Sequence, residues 1–166
     1  MSARSGHSEA AVPGWTGNVV LLLASSTGGV GQHVTSLARG LVAGGASVTV
    51  CGPAATQEQF EFTATGAQFV PVQIPANPTP ADGRAVSALR RVLTEQVDVV
   101  HAHGLRAGLV AALARPAQPL VVTWHNAVLA TGLRGQMSRL AERVVARRAR
   151  VALGASADLV ERAASL

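Results

Sequence analysis

Short apolar runs alternate with stretches of helical periodicity along this chain, and that alternation constrains the fold more than any other feature. Val19-Val20-Leu21-Leu22-Leu23-Ala24 is the first run, and Val48-Thr49-Val50-Cys51, Asp98-Val99-Val100 and Val121-Val122-Thr123-Trp124 repeat it. Such runs are short for helices, and they are nearly continuously apolar, as strands are when both faces of their sheet are covered. Strands separated by helices make a parallel sheet with helices packed on its faces.

The expected strands are 18–24, 47–51, 68–72, 98–102, 120–124 and 151–155. The first helix is expected over 31–43, with Val34, Leu37, Ala38, Leu41 and Val42 on one face and Gly44-Gly45 ending it. A short helix is expected over 57–65, another from Asp82 to about Gln96, a third over 105–114 and a long one over 134–148. Ser156 is expected to cap a last helix, with Asp158 in its first turn. Prolines make 75–83 a loop. Residues 1–16, rich in Ser, Gly, Ala and Pro, read as a disordered tail, and 17–166 as one compact domain. The fold class is α/β: a three-layer Rossmann-like domain with a mostly parallel sheet flanked by helices.

The first, fourth and fifth expected strands end in residues able to carry chemistry. The first leads into Ser25-Ser26-Thr27-Gly28-Gly29-Val30-Gly31, the fourth into His101-Ala102-His103-Gly104, the fifth into His125-Asn126. In an open parallel sheet, ligands bind at the carboxyl ends of strands. Glycines let a ligand approach backbone N–H groups, and the helix start beyond them suits an anion. The same glycines also suit a plain tight turn. Gly28-Gly29-Val30-Gly31 departs from Gly-x-Gly-x-x-Gly, and Gly52-Pro53 rather than an acid follows the second strand. A standard dinucleotide site is therefore disfavoured. His101 and His103 face one side of a strand, a spacing that can grip a metal. A third and preferably a fourth ligand would be required, and only His7, His33 and His125 remain, with few acids near strand ends, so no metal is assigned. His101 is expected inside the strand end and His103 on the rim as a ligand contact. His125, just past a strand, is the candidate for a direct role at the reacting centre, and His33 a further contact in the first helical turn.

The chain contains no lysine and no tyrosine. That excludes a phosphate-loop NTPase, a Lys Schiff base, and dehydrogenase chemistry built on a Tyr–Lys pair. The lone cysteine, Cys51, cannot form an internal disulfide, which points to a reducing cytoplasm. No apolar run approaches the roughly 18 residues that span a bilayer. Charge is lopsided: residues 1–83 carry two arginines against four acids, and 84–166 twelve against five. Arg139, Arg143, Arg147, Arg148 and Arg150, with Glu142, read as one face of the long helix, and Leu133, Met137, Leu140, Ala141, Val144 and Val145 as the other. The basic face is either solvated or contacts an anionic acceptor or acidic lipid headgroups at the inner membrane face. Aromatic residues are 3% of the chain, too few for the stacking platforms of nucleic-acid binding.

Taken in order, Gly28-Gly29-Val30-Gly31-Gln32-His33-Val34, Asp98-Val99-Val100-His101-Ala102-His103, Val122-Thr123-Trp124-His125-Asn126 and Gly154-Ala155-Ser156-Ala157-Asp158 resemble the N-terminal half of family-4 retaining glycosyltransferases. The resemblance spans about 18–166 and implies one lobe of a GT-B architecture, in which two Rossmann-like domains face each other across a cleft. It implies sugar transfer from a nucleotide-linked donor, UDP or GDP most commonly, with retention and without a metal or other cofactor. The acceptor is a sugar, a lipid or a small metabolite. By this resemblance Gly28, Gly29, Val30, Gly31, His33, His103, Gly104 and Asn126 contact substrate, and His125 lies near the reacting centre. The donor-gripping C-terminal domain has no counterpart among these residues, so the 166-residue chain is expected to be inactive alone. The competing reading is a stand-alone, non-catalytic binding or regulatory module with the same fold.

Overall fold

The computed structural model describes residues 15–77, 82–125 and 132–156, with Leu159 and Glu161. The expected tail over 1–14 and the helix expected after Ser156 lie outside the described residues, apart from those last two positions. The order of elements is β1 (Asn18–Leu23), α1 (Gly29–Ala43), β2 (Ser47–Gly52), α2 (Ala54–Phe60), a 3₁₀ turn (Phe62–Thr65), β3 (Gln68–Pro71), α3 (Asp82–Val92), β4 (Val99–His103), α4 (Gly104–Ala114), β5 (Leu120–Trp124), α5 (Gly132–Arg148) and β6 (Val151–Gly154). All six strands join one sheet in the order β3-β2-β1-β4-β5-β6, and every pairing is parallel. This is the doubly wound Rossmann-like order, whose direction reverses beside β1.

Central position explains the sequence of β1. Leu21 and Leu23 share a cluster with Val34 and Ala38 of α1 and with Phe62. Val20 and Leu22 face the other side, with Leu89 of α3, Val110 of α4 and Val145 of α5. Val20 through Leu23 are almost wholly buried, each side chain contributing about 2 kcal/mol of apolar transfer. The α3 and α4 helices pack side by side, and α5 follows against α4. Close approach there depends on Gly108, where a Cβ would come within 2.9 Å of Val145.

Three expectations need correction. The helix expected over 57–65 divides at Glu61, which adopts left-handed geometry (φ 49°) and ends α2 before the 3₁₀ turn. The helix from Asp82 stops at Val92, and Thr94 and Val97 close turns into β4. In α5 the inward stripe follows the expected one at Ala141, Val144 and Val145 and departs from it before them. Gly135, Glu142 and Val145 are buried, whereas Met137 and Leu140 are 59% and 63% exposed. Small residues at Gly135, Ser138 and Ala141 permit a closer seat than the large apolar ones, so packing overrides hydrophobic periodicity. No helix among the described residues is long and apolar enough to cross a membrane.

Candidate functional site

The carboxyl ends of β1, β4 and β5 lie side by side, in register Leu23↔His103↔Thr123. Directly paired residues of parallel strands point to the same face, so His101 and His103 lie on the α1 side of the sheet. The turn after β1 runs through Gly28 into α1, which carries His33 above that face. His125 follows β5 at once. Three elements distant in sequence thus deliver His33, His103 and His125 to one place, with a ring nitrogen from each within 4.8 Å of the others.

The rings meet at an angle. His33 stands at 64° to His103 and 68° to His125, with centroids 5.5 and 5.3 Å apart. His103 Nδ1 lies 3.4 Å from His125 Nε2. One layer down, His101 Nε2 is 2.8 Å from Thr123 Oγ1, and its ring lies 4.2 Å from that of His103. Exposure grades outward: His103 is 2% exposed, His125 half-buried, His33 exposed. His103 therefore lies beneath the rim rather than on it, roofed by the other two imidazoles. Its Nε2 is buried without a hydrogen-bond partner among the described residues.

Burial, followed by the neighbouring imidazoles, pushes His103 down to about 2 and His101 to about 4. Burial and then His33 lower His125. The cause is the cost of charging a ring away from water and beside others of its kind. His101, His103 and His125 are accordingly neutral at pH 7, each with one N–H donor and one lone pair.

The glycine turn divides by position. Gly28 and Gly29 are exposed, and a Cβ on either would meet open space. Val30 is half-buried. Gly31 is buried, and a Cβ there would drive into the Phe60 ring at the end of α2. The turn is braced from the same side by Gln59 Nε2, which donates to the Thr27 carbonyl at 3.1 Å. The helix beyond has no acid in its first turn, so its positive end is left open at the rim. Gly104 adopts φ +83°, a conformation natural to glycine, which lets β4 pass straight into α4. Asn126 lies outside the described residues.

Arg106 belongs to this rim, and sequence reasoning missed it. Its Nη2 pairs with Asp82 Oδ1 at 2.7 Å, and its Nε and Nη2 donate to the carbonyls of Pro75 and Asn77. It thereby ties the first turn of α4 to the loop after β3 and to the start of α3. An arginine in a helix's first turn gives no sequence signal of this kind. A groove of about 870 Å³ lies at the opposite, amino end of the strands, lined by Asn18, Ser47, Gln68 and Gln96 among others. It contains no histidine or carboxylate, so the chemistry gathers at the carboxyl rim.

Residues 28–166 match the family model described as glycosyl transferase 4-like domain. Among solved structures, the fold resembles Anabaena Alr3699/HepE in complex with UDP (TM-score 0.63, 19% identity, 89% of this chain and 41% of that one). It similarly resembles the UDP-glucose complex of the same Anabaena protein (TM-score 0.64, 18% identity, 89% and 40%). MurG of Acinetobacter baumannii aligns with TM-score 0.57 at 20% identity over 83% of this chain and 41% of that one. No curated protein sequence matches the chain. The chain thus spans about two fifths of the structures it resembles.

Proposed function

We propose that this chain, which belongs to the glycosyl transferase 4-like domain family, is the acceptor-side lobe of a retaining GT-B glycosyltransferase. The whole protein would move a sugar from a UDP- or GDP-linked donor to a sugar, lipid or small-metabolite acceptor. The convergence of His33, His103 and His125 beside the open Gly28-Gly29 turn carries this reading. Anabaena HepE, which shares the fold, binds UDP and UDP-glucose, and this supports a nucleotide-sugar donor.

In the reaction, the bond from the sugar's anomeric carbon to the donor phosphate breaks. A bond to the acceptor hydroxyl oxygen forms on the same face, and the hydroxyl proton passes to the leaving phosphate oxygen. Neutral His125 donates a hydrogen bond to the transferring sugar as charge develops, a contribution of about 3 kcal/mol for one preorganised donor. His33 and the backbone N–H groups at Gly28 and Gly29 face the donor phosphates, favoured by the positive end of α1. His103 supports His125 from beneath through the 3.4 Å contact. The grip on the nucleotide belongs to a second lobe beyond these residues. Exposed Met137 and Leu140 beside Arg139 and Arg143 support an acceptor met at the cytoplasmic membrane face.

The test is transfer from a panel of UDP- and GDP-sugars, with the 166-residue chain and with the reading frame carried beyond Leu166. The longer protein should transfer sugar with retention, and the 166-residue chain should not. In the longer protein His125→Ala should lower kcat about 100-fold with little change in Tm. Undiminished turnover removes His125 from the site. A longer protein that binds donors but never turns over favours the non-catalytic module.

A further inference from the structure

We propose that His103 is a positioning residue that fixes the tautomer of His125. His103 Nδ1–H donates to His125 Nε2, which leaves the His125 proton on Nδ1, the nitrogen turned away from His103. This rests on the transferase reading for its purpose, because only a protonated outer nitrogen can donate to a transferring sugar, and on the packing of the cluster for its evidence. His103 Nδ1 and His125 Nε2 lie 3.4 Å apart, and among the described residues each is the other's hydrogen-bond partner. The distance is long for such a bond, as contacts in unliganded sites often are. A neutral imidazole carries one N–H and one lone pair. A single proton therefore lies between the two rings, and its position dictates the state of both outer nitrogens.

Two arrangements satisfy that rule. If His125 Nε2 holds the proton, His103 accepts at Nδ1 and carries its own N–H at Nε2. If His103 Nδ1 holds it, His103 Nε2 is a bare lone pair and His125 carries its N–H at Nδ1. His103 Nε2 decides between them, for it is buried without a hydrogen-bond partner on a residue only 2% exposed. The first arrangement buries an N–H with no acceptor, the second a lone pair with no donor. Buried N–H groups are orphaned more rarely than buried acceptors, which favours the second. His125 is half-buried and its Nδ1 is not enclosed, so water or a ligand meets that atom in either arrangement. His101 does not compete: its Nε2 is 2.8 Å from Thr123 Oγ1, and its ring braces His103 at 4.2 Å. Among the described residues no carboxylate hydrogen-bonds any of the four imidazoles. The task an aspartate performs in a Ser-His-Asp triad, holding an imidazole in one tautomer, falls here to a neutral imidazole. A carboxylate in that place would also favour the charged ring, whereas His103 sets the proton without making His125 a stronger base. That suits a hydrogen-bond donor.

The experiment is nitrogen-15 NMR of the imidazoles in the labelled 166-residue chain at about pH 8, above the ordinary histidine range. Couplings from the ring nitrogens to the ring carbon-bound protons separate Nδ1–H from Nε2–H. Free histidine favours Nε2–H, so the proposed form is the opposite of the default. The expected result is Nδ1–H at both His103 and His125. His103→Leu should return His125 to Nε2–H. His103→Asn, whose amide N–H can take the place of Nδ1–H, should keep His125 on Nδ1. Nε2–H at His125 in the wild-type chain overturns the proposal even if His103→Leu does not fold, and so does Nδ1–H persisting at His125 in a folded His103→Leu. In the longer protein, His103→Leu should lower kcat roughly 10-fold with little change in donor KM, because only the minority of His125 in the donating form stays competent, and His103→Asn should restore most of the loss. An active enzyme with Nε2–H at His125 removes the tautomer role and leaves the transferase reading standing. A longer protein that transfers nothing removes the transferase reading, and the tautomer is still decided by the spectrum.

Discussion

Gly29 and Gly31 lie two residues apart in one turn and exist for different reasons. A side chain at Gly29 meets open space, whereas one at Gly31 meets the Phe60 ring. Gly29→Val should therefore keep the fold and lose donor-dependent activity in the longer protein, because only a ligand needs that approach. Gly31→Val should lower stability by about 1–3 kcal/mol in urea unfolding, whatever its effect on activity. Retained activity in folded Gly29→Val would reduce the turn to a connector. His103 supplies a pH signature at the same scale. Its ordinary value of 6.5 falls to about 2 in the fold, so the unfolded chain takes up a proton that the folded chain refuses. The contribution to stability is complete above 6.5 and is lost as pH falls from there toward about 2. Between roughly pH 8 and pH 5 this amounts to about 2 kcal/mol for a single histidine. Urea unfolding with EDTA present should show that decline, and His103→Gln should flatten it. At this scale the sequence named the residues of the cluster one by one. It missed the burial of His103, since a strand-terminal histidine looks the same whether or not other rings roof it.

Among the elements, the seat of α5 on α4 is the contact most open to test. Gly108 admits Val145 at a distance that leaves no room for a larger residue. Gly108→Leu should cost about 1–3 kcal/mol in thermal or urea unfolding and detach α5 first, visible as faster hydrogen exchange along that helix. Arg106 clamps the rim loop through Asp82, Pro75 and Asn77. Arg106→Leu should cost about 1–3 kcal/mol and raise hydrogen exchange over 72–77 while β1 stays protected. Equal exchange in variant and wild type would mean that the loop holds itself. Strand and helix identities were readable because buried parallel strands and amphipathic helices have different periods. The face of α5 was readable only in its second half, at Ala141, Val144 and Val145. In its first half the apolar residues imply one stripe, and the small residues that decide close packing imply another, rotated by about one position.

For the molecule as a whole, the parallel order β3-β2-β1-β4-β5-β6 places the reversal of winding beside β1. The crevice at that point is where the glycine turn and the histidines meet. Alternating apolar runs and helical stretches were enough, by themselves, to determine an α/β parallel sheet. Abrupt polar endings were enough to mark its carboxyl rim, because backbone period and burial are local properties written into consecutive residues. Other features came only with the tertiary structure: that His33 joins His103 and His125, that His101 turns to Thr123, and that Arg106 reaches a loop some thirty positions earlier. Distances between side chains on different elements depend on strand register and helix seating. Those are set by the packing of the whole core and not by any stretch of sequence read alone.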